Sequence, residues 1–466
     1  MKNALYLFTL LLLLSFLNTG LLEAQNTANR YEAIYSGISW FDQNNKEVNA
    51  HGACILKEGD RYYLFGEYHT DTSNAFIGFS CYSSTDLMNW RFENMVLKVQ
   101  PDGLLGPNRV GERIKVMKCP ATGEYVMYMH TDDLRYKDPH VGYATCQTIN
   151  GDYQFQGELL HDGNYLKKWD LGAFQDSDGT GYLLTHEGFI YELNADYRSV
   201  KRQVVGHATS GGESPAILKQ GGRYFWMFSR KTSWERNDNY YLTATSLEGP
   251  WTEKGLVAPA GTLTWNSQSS FFLPIISQTD TLYMYMGDRW SYPKQGSAAT
   301  YVWQPVTLTG DEMSIPQFHE SWRPGSSTNP YTPIAINRKN TSLKNVVRKG
   351  EWKTAGNHLT SKAQGATVSY TFNGRQVGID GLANNKSSYA KVTIRDKRNK
   401  VIIDTTVDFY SKYENASLKF LSPLLPSGQY TLTIEVLGEH TTWTDKSKTV
   451  YGSTDHYVTI KDIFYN

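Results

Sequence analysis

The hydrophobic pattern of this chain repeats five times between residues 53 and 286. Each copy opens with an apolar run, turns at a Gly/Asp pair, continues into an aromatic strand and closes on a third strand. The copies begin near Ala53, Ile114, Gly172, Ser214 and Ser269, and their second strands are Arg61–Gly66, Glu124–Met129, Gly181–Leu184, Arg223–Phe228 and Thr281–Met286. A period of about 40–60 residues built from short strands is typical of four-stranded sheets repeated around an axis. Five copies predict a five-bladed β-propeller.

The pattern changes after the fifth repeat. A stretch rich in Pro, Ser, Thr and Asn follows, and strict alternation of apolar and polar residues then begins without the repeat motif. The alternating segments are Ala366–Phe372, Ala390–Ile394, Val401–Asp404, Tyr430–Val436 and Tyr457–Phe464. Short strands joined by Gly and Asn turns favour a β-sandwich of jelly-roll type. The predicted layout of this all-β chain is a signal peptide at 1–25, a propeller at 26–323, a linker at 324–340 and an accessory sandwich at 341–466.

The first residues are typical of a secretory signal. Lys2 precedes an apolar run from Leu10 to Leu17, and Leu22-Glu-Ala24 stands before Gln25. The apolar run is too short to span a bilayer, and no later segment approaches the length that a spanning helix needs. We therefore expect an exported protein, periplasmic or secreted, with no membrane insertion. Lys plus Arg and Asp plus Glu number 46 each, so no net field favours nucleic acid.

Four cysteines occur in this exported chain, at Cys54, Cys81, Cys119 and Cys146. Cys54 and Cys81 fall on the first and third strands of one repeat, and Cys119 and Cys146 fall on those of the next. A disulfide within a blade would have to span about two strand spacings, near 10 Å, which is too far for the bond. The sequence therefore favours buried free thiols.

Chemistry is expected where the innermost strands begin, because a propeller places those points beside its axis. The segments that lead into them are Asn49–Gly52, Gly111–Arg113, Lys168–Asp170, Gly212–Pro215 and Asn266–Gln268. Glu112, Asp170 and Glu213 supply one carboxylate each, at equivalent positions of three repeats. A lone Glu in such a loop is usually a solvated acid or a salt-bridge partner, but three matched ones indicate a functional pocket. An acid beside another carboxylate has a raised pKa, as glycoside hydrolysis requires. The residues thus predict an exo-acting glycosidase.

Several segments also resemble glycoside hydrolase family 43, and within it the branch of exo-β-1,3-galactanases. The resemblance covers about residues 31–315. It is carried by Ala50-His-Gly52, Tyr62–Glu67, Cys81–Leu87, Glu112–Val116, Ser267-Gln-Ser269, Gly287–Trp290 and Tyr301-Val-Trp303. Ile114 and Ser214 depart from the branch, which usually has Pro and Ala there. The implied substrate is a plant-type β-1,3-galactan or another galactose-containing polysaccharide.

The resemblance implies roles for individual residues. Glu213 matches the general acid, and Asp170 matches the aspartate that tunes and orients it. Most of the family has an aspartate base at the start of the first blade, where this chain has His51 and no carboxylate. The galactanase branch shares that gap, and its water-positioning glutamine matches Gln268. Gln268 acts either as a base in an unusual tautomer or as a residue that orients water while Glu112 helps; a protein that only binds sugar is the third alternative.

Further residues are candidates for contact with the sugar. Glu67 and Glu112 match carboxylates that line the pocket, and Asp288 belongs to a segment of the resemblance. The remaining candidates are aromatic or imidazole side chains, namely His51, Trp234, Trp265 and Trp290. For the tryptophans, packing between blades is the alternative.

No cofactor is expected to be required. Ligand spacing typical of zinc does not occur in the sequence. The run Asp176-Ser-Asp-Gly179 resembles a fragment of a calcium loop, which leaves a structural calcium open, but a hairpin turn is the favoured interpretation.

The sequence thus predicts an inverting exo-β-1,3-galactanase that releases galactose from arabinogalactan-type β-1,3-galactan. An α-L-arabinofuranosidase or a β-galactofuranosidase of the same family is the alternative enzyme. A non-catalytic glycan-binding protein is the alternative of another class.

Overall fold

The computed structural model describes residues 30–277, 280–326, 329–338, 343–445 and 447–466. The predicted signal peptide at 1–25 lies outside these ranges. Regular structure in the described residues is almost entirely β-strand, as predicted. The described part of the chain has no helix that is long and apolar enough to cross a membrane.

The first two repeats form separate four-stranded antiparallel sheets. Blade 1 consists of His51–Glu58, Arg61–Glu67, Gly78–Ser84 and Arg91–Lys98. Blade 2 consists of Arg109–Lys118, Tyr125–Asp133, His140–Cys146 and Gln154–Glu158, with a 3₁₀ turn at Gly103–Leu105 before it. Neighbours in sequence are neighbours in each sheet, so every blade is a simple meander.

Blades 3 and 4 continue this order. Blade 3 consists of Gly172–Gln175, Gly181–Thr185, Phe189–Leu193 and Val200–Val205, and its outer edge is extended by Leu160–His161 and Asn164–Tyr165. Blade 4 consists of Gly212–Gln220, Arg223–Arg230, Tyr240–Ala244 and Thr252–Leu256. The run at Asp176 is the turn between the first two strands of blade 3, where Asp176 binds Lys219 and Tyr224, both at 2.6 Å. The hairpin interpretation of that run is therefore confirmed.

Blade 5 has three strands, Gln268–Ile276, Thr281–Arg289 and Thr300–Pro305. A single helical turn, Leu263–Asn266, precedes the blade, another, Gln295–Ala298, joins its last two strands, and a hairpin of Thr307–Thr309 with Glu312–Ser314 follows it. The N-terminal segment lies against its outer strand, since Gly37 donates its N–H to the carbonyl of Tyr301 at 2.6 Å. The two ends of the propeller are thereby joined.

The five blades close into a ring. The innermost strand of each blade contacts the innermost strands of the two neighbouring blades. The innermost strands of blades 5 and 1 are also in contact, which closes the circle. Apolar side chains fill the spaces between neighbouring blades; Phe65 of blade 1 and Met127 of blade 2 share one cluster, and Leu184 of blade 3 and Trp226 of blade 4 share another. Burial of these faces stabilises the ring and fixes the starts of the innermost strands around one axis.

The C-terminal domain is the predicted β-sandwich. One sheet has the order Val347–Lys349, Thr367–Gly374, Gly428–Val436, Tyr389–Asp396 and Val401–Asp408. The other has the order Lys353–Ala355, His358–Ser361, Val458–Tyr465, Val377–Ala383 and Asn415–Leu421. A small hairpin pairs Thr442–Thr444 with Val450–Gly452, and a 3₁₀ turn at Leu343–Asn345 precedes the domain. Alternate residues of Gly428–Val436 are buried, which is the alternation read from the sequence.

The predicted linker at 324–340 has structure of its own. Ser321–Ser326 pairs with Asn329–Pro333, and the first of these strands also pairs with Ile34–Tyr35. Part of the segment is therefore strand and is tied to the N-terminal segment, which the Pro- and Ser-rich composition did not indicate. The domain limits stay a prediction. All four cysteines are free; three are buried and Cys146 is half-buried.

Candidate active site

The same irregularity opens the innermost strands of blades 1, 2 and 4. Gly52, Arg113 and Ser214 have φ of +58°, +54° and +53°, and the pairing with the second strand slips at each of them. Bulges of this kind re-aim the neighbouring side chains and are common beside active sites. The residue just before each bulge faces a partner across the strands; the pairs are His51 with Glu67, Glu112 with His130, and Glu213 with Ser229.

Asp170 departs from the predicted equivalence of the three carboxylates. Its own φ is +56°, so it occupies the bulge position that Arg113 and Ser214 hold, one residue later than Glu112 and Glu213. Its Oδ2 accepts the backbone N–H of Ser214 at 2.5 Å, and its Oδ1 lies 2.8 Å from Nε of Arg113. Both oxygens are therefore engaged, and Asp170 is fixed against the backbone that carries Glu213.

Arg113 is the centre of the site, although sequence reasoning noted it only as a neighbour of Glu112. Its Nη2 donates to Oε1 of Gln268 at 2.6 Å, and its Nη1 donates to the carbonyl of Ser269 at 3.2 Å. Its backbone N–H donates to Oε1 of Glu67 at 2.7 Å. Burial opposes its charge, but Asp170, Glu67 and further carboxylates raise the pKa of the guanidinium. One permanently charged residue of blade 2 thus ties blades 1, 3 and 5 together.

Glu213 differs from the other carboxylates of the site in its lack of a bonding partner among the described residues. It is half-buried, and its side chain makes no hydrogen bond or ion pair within the described part of the chain. Burial first, and then the charge of Asp170, raise its pKa to about 8, against the opposing effects of Arg113 and Lys231. A carboxyl with this pKa carries its proton near neutral pH and can donate it.

The amide of Gln268 has a determined orientation. It is 3% exposed, and its Oε1 accepts from Arg113 and from Nε1 of Trp290, at 2.6 and 2.8 Å. Arginine and tryptophan side chains can only donate, so the oxygen must face them. The Nε2 group then donates to Oγ of Ser229 at 3.2 Å, beside Glu213 in the sheet. An imidic-acid tautomer would direct an O–H at two donors, so these contacts favour the ordinary amide form of Gln268.

An unusual turn leads into Gln268. All four residues of Leu263–Asn266 have positive φ, between +50° and +61°, which makes this a left-handed turn without glycine. Such a conformation costs roughly 1–2 kcal/mol per residue. Arg289 holds the turn by donating to the carbonyls of Trp265 and Asn266 at 3.1 and 3.0 Å. Backbone strain at this place is consistent with a functional constraint on Gln268.

Glu112 lies in a charged cluster with His130. Its Oε1 accepts the hydroxyl of Tyr136 at 2.6 Å, and its Oε2 lies 3.4 Å from Nδ1 of His130, whose Nε2 lies 3.1 Å from Asp132. Burial acts against the imidazolium, but the hydrogen bonds with Asp132 and Glu112 raise the pKa of His130 to about 9. For Glu112, burial alone would raise the pKa of the carboxyl group, but His130 and Tyr136 outweigh it and the pKa is lowered. Glu112 is therefore ionised and can accept hydrogen bonds from hydroxyl groups.

Three residues predicted to contact the sugar are buried and bound within the protein, and their contact with sugar stays a prediction. Both oxygens of Glu67 are used, by the N–H of Arg113 and by Nε2 of His69 at 2.8 Å. Asp288 accepts from Gly52 and lies 3.1 Å from Nδ1 of His51, whose ring stacks on Tyr301. His51, Glu67 and Asp288 are 1–3% exposed. Their hydrogen bonds fix the starts of blades 1 and 5 behind the site.

The predicted tryptophans divide into two groups. Trp290 is 4% exposed, lies 5.4 Å under the Arg113 guanidinium and packs against Trp234 at 5.5 Å. Trp265 instead packs on Phe318 and donates Nε1 to the carbonyl of Ile315 at 3.0 Å, so its contacts do not bring it to Gln268.

Sequence reasoning missed a further aromatic residue, Trp169. It is half-buried, precedes Asp170 and stacks on His186 at 3.2 Å. Its place at the start of blade 3 was the available signal, since Lys168–Asp170 is one of the five segments that lead to the axis.

Known proteins share this architecture. The sequence model of glycosyl hydrolases family 43 matches residues 47–229. An exo-β-1,3-galactanase from Phanerochaete chrysosporium, crystallised with galactose, is 28% identical with a TM-score of 0.67, over 93% of this chain and 99% of that one. A candidate exo-β-1,3-galactanase from Bifidobacterium bifidum s17 is 37% identical with a TM-score of 0.57, over 60% of this chain and 95% of that one.

A curated relative has a different activity. A β-D-galactofuranosidase of Aspergillus niger is 27% identical over 205 residues, which are 41% of this chain. The match spans 59% of that relative, so less than two thirds of its length is represented here. The family match runs from blade 1 into blade 4 and contains Glu112, Asp170 and Glu213. Together with the 37% identity to a structure that is covered almost whole, it shows that this chain belongs to glycosyl hydrolase family 43.

Proposed function

We propose that the protein is an exo-β-1,3-galactanase that releases galactose from β-1,3-galactan with inversion. One observation carries the proposal: Glu213 has no hydrogen-bond or ion-pair partner in the described part of the chain and a pKa raised to about 8, and it lies near Asp170, with the amide of Gln268 in place of a second catalytic carboxylate. The Phanerochaete enzyme, which shares both domains of the fold, was crystallised with galactose and, as variants, with β-1,3-galactotriose. Those structures support a galactose-containing oligosaccharide as substrate.

We infer the following steps from the proposed roles. Glu213 gives its proton to the glycosidic oxygen as the bond from that oxygen to the anomeric carbon breaks. A water held by the Nε2 group of Gln268 forms the new bond to that carbon from the opposite face. The water loses a proton in this step, and the carboxylate of Glu112, whose pKa is lowered, can accept it, whereas Gln268 could do so only as the imidic-acid tautomer that its contacts disfavour. Burial and the charge of Asp170 raise the pKa of Glu213, so that it holds its proton before this step.

A second candidate is a β-D-galactofuranosidase, which the Aspergillus relative favours. The same acid and water would serve, since only the shape of the sugar ring differs. An α-L-arabinofuranosidase would use the same groups. A protein that binds glycan without cleaving it would need Glu112 but would not need the raised pKa of Glu213.

A substrate panel tests the proposal. The purified protein is incubated with β-1,3-galactan, arabinogalactan, arabinan and a β-D-galactofuranoside, and the released sugars are identified. We expect galactose from the first two as the early product. Release only from the galactofuranoside or from arabinan would replace the proposed activity, and binding without release would support the binding protein.

We also propose that the protein acts outside the cytoplasm, in the periplasm or secreted. The N-terminal residues support export, because they have the charged, apolar and small-residue parts of a signal peptide. A plant-type arabinogalactan is the polysaccharide that we expect it to meet there.

A further inference from the structure

The C-terminal sandwich holds the loop that follows the second strand of blade 5. The hydroxyl of Tyr389, a fully buried sandwich residue, lies 3.1 Å from the carbonyl oxygens of both Ser291 and Tyr292. Thr441 of the sandwich donates to the same carbonyl of Tyr292 at 2.7 Å. The hydroxyl of Ser291 donates to Oδ2 of Asp408 at 2.9 Å. Three sandwich side chains therefore bind two consecutive residues of this loop.

The same loop carries an active-site wall. Trp290 precedes Ser291, and its Nε1 is one of the two donors to the oxygen of Gln268. The ring of Tyr292 stacks on Trp234 at 5.5 Å with an angle of 15° between the planes, and Trp234 packs edge-on against Trp290. Both tryptophans of the site thus rest on residues that the sandwich holds.

A second set of contacts supports the wall from the same side. Arg236, 1% exposed, donates to the carbonyl of Trp290, and its guanidinium lies 5.4 Å from the ring of Tyr410 in the sandwich. The hydroxyl of Tyr410 donates to Oε2 of Glu235 at 3.0 Å. The segment after Trp234 and the loop after Trp290 are therefore both fixed to one domain, which lies outside the propeller in sequence.

We propose that Tyr389 is a positioning residue of the active site, so that the sandwich is a functional part of the catalytic machinery. This inference rests on the proposed function of Gln268. The path consists of single contacts: Tyr389 fixes the carbonyls of Ser291 and Tyr292, the loop fixes Trp290, and Trp290 fixes the amide oxygen of Gln268. Substitution of a residue that orients a reacting group through a hydrogen bond commonly lowers the rate more than it weakens substrate binding.

Loss of the Tyr389 hydroxyl has a definite expected effect. The carbonyl of Ser291 would lose its sandwich donor, and the carbonyl of Tyr292 would keep only the hydroxyl of Thr441. Trp290 could then shift, and Gln268 would keep Arg113 as its only fixed donor on that oxygen. The amide would be free to turn, and the water that it holds would lose its alignment with the anomeric carbon.

The test is Tyr389→Phe, with Tyr430→Phe as the matched control. Tyr430 is also a sandwich tyrosine that donates to a backbone carbonyl, that of Pro426 at 2.8 Å, but within its own domain. Thr441→Val is a second variant that removes a hydroxyl of the same contact without changing the size of the side chain. We measure kcat and KM on β-1,3-galactan, thermal unfolding, and hydrogen exchange of the amides of residues 290–298.

We expect kcat of Tyr389→Phe to fall about tenfold while KM changes by less than about threefold, with faster exchange across 290–298 and parental values for Tyr430→Phe. Thr441→Val should likewise lower kcat and speed hydrogen exchange across residues 290–298. A kcat within twofold of the parent, a changed KM alone, or an equal loss in Tyr430→Phe would overturn the proposal. If the parent cleaves no substrate, the proposed function fails, and hydrogen exchange still decides whether Tyr389 holds the loop.

Discussion

Asp170 accepts the backbone N–H of Ser214 at 2.5 Å, which places its charge directly behind the residue that precedes Ser214, the acid Glu213. The same aspartate lies 2.8 Å from Arg113, so it is held between a cation and the backbone of blade 4. This position explains why the charge of Asp170 adds to the effect of burial in raising the pKa of Glu213 to about 8.

The first prediction concerns Asp170→Asn. After burial, the charge of Asp170 is the next cause of the raised pKa of Glu213, so its removal should lower that pKa. The protonated fraction of Glu213 near neutral pH should fall, and the basic limb of the profile of kcat/KM against pH should move to lower pH. Activity at neutral pH should drop by at least about tenfold. Asp176→Asn, at an outer turn of the same blade, is the control; an unmoved basic limb in Asp170→Asn would exclude the tuning role.

The second prediction concerns Glu213→Gln, which keeps the shape of the side chain. A general acid contributes roughly 10²–10⁴-fold in rate, so the variant should lose that factor while it remains folded. Residual activity above about a tenth of the parent would remove Glu213 from this role.

The same variant should change the dependence of stability on pH. The pKa of Glu213 rises from 4.5 to about 8 on folding, so the folded protein binds more protons than the unfolded chain between these values. The free energy of unfolding of the parent should therefore fall as pH rises through this window. Glu213→Gln should unfold at a higher temperature than the parent at pH 8, and the difference should shrink towards pH 4.5. Parallel stability curves for the two proteins would contradict the raised pKa.

The third prediction concerns stereochemistry. An inverting enzyme attacks with water from the face opposite the leaving group, so a β-linked galactan should yield α-galactose first. Proton NMR of the earliest products distinguishes the anomers before they interconvert. The initial appearance of β-galactose would contradict inversion, and would require a nucleophile that Gln268 cannot supply.

The propeller could be read from the sequence, and Glu213 could be proposed as the acid, because both inferences depend on local pattern. The aromatic second strands recur at a regular period, and Glu112 and Glu213 stand just before apolar runs. Family 43, the five blades and the C-terminal sandwich are accordingly confirmed. The predicted equivalence of the three carboxylates differs from the structure, because Asp170 itself has the positive φ that Arg113 and Ser214 have, and backbone conformation leaves no mark in the apolar pattern.

Contacts between distant segments could not be read in this way. Arg113 joins residues of three other blades, and although its segment Gly111–Arg113 was expected beside the axis, the sequence does not show which partners its side chain binds. Tyr389 and Ser291 are 98 residues apart and lie in different domains. The left-handed turn Leu263–Asn266 precedes Gln268, and Trp265 within it packs on Phe318, whereas the sequence offered it with Trp290 as a candidate for contact with the sugar. These features follow from the packing of blades and domains, which a single sequence does not display.

The last prediction asks which group takes the proton of the attacking water. If Gln268 holds that water, Gln268→Ala should lower kcat far more than it weakens binding, because the contact matters most in the transition state. Since the alanine also leaves Arg113 and Trp290 without their acceptor, Gln268→Glu is the sharper variant: a carboxylate accepts from both and can act as a base. The added charge should raise the pKa of Glu213 further and move the basic limb to higher pH, opposite to Asp170→Asn. Intact turnover in Gln268→Ala, with turnover abolished in Glu112→Gln, would assign the base to Glu112. Intact turnover in both would remove both residues from the step, whereas loss in Gln268→Ala alone would leave the water with Gln268.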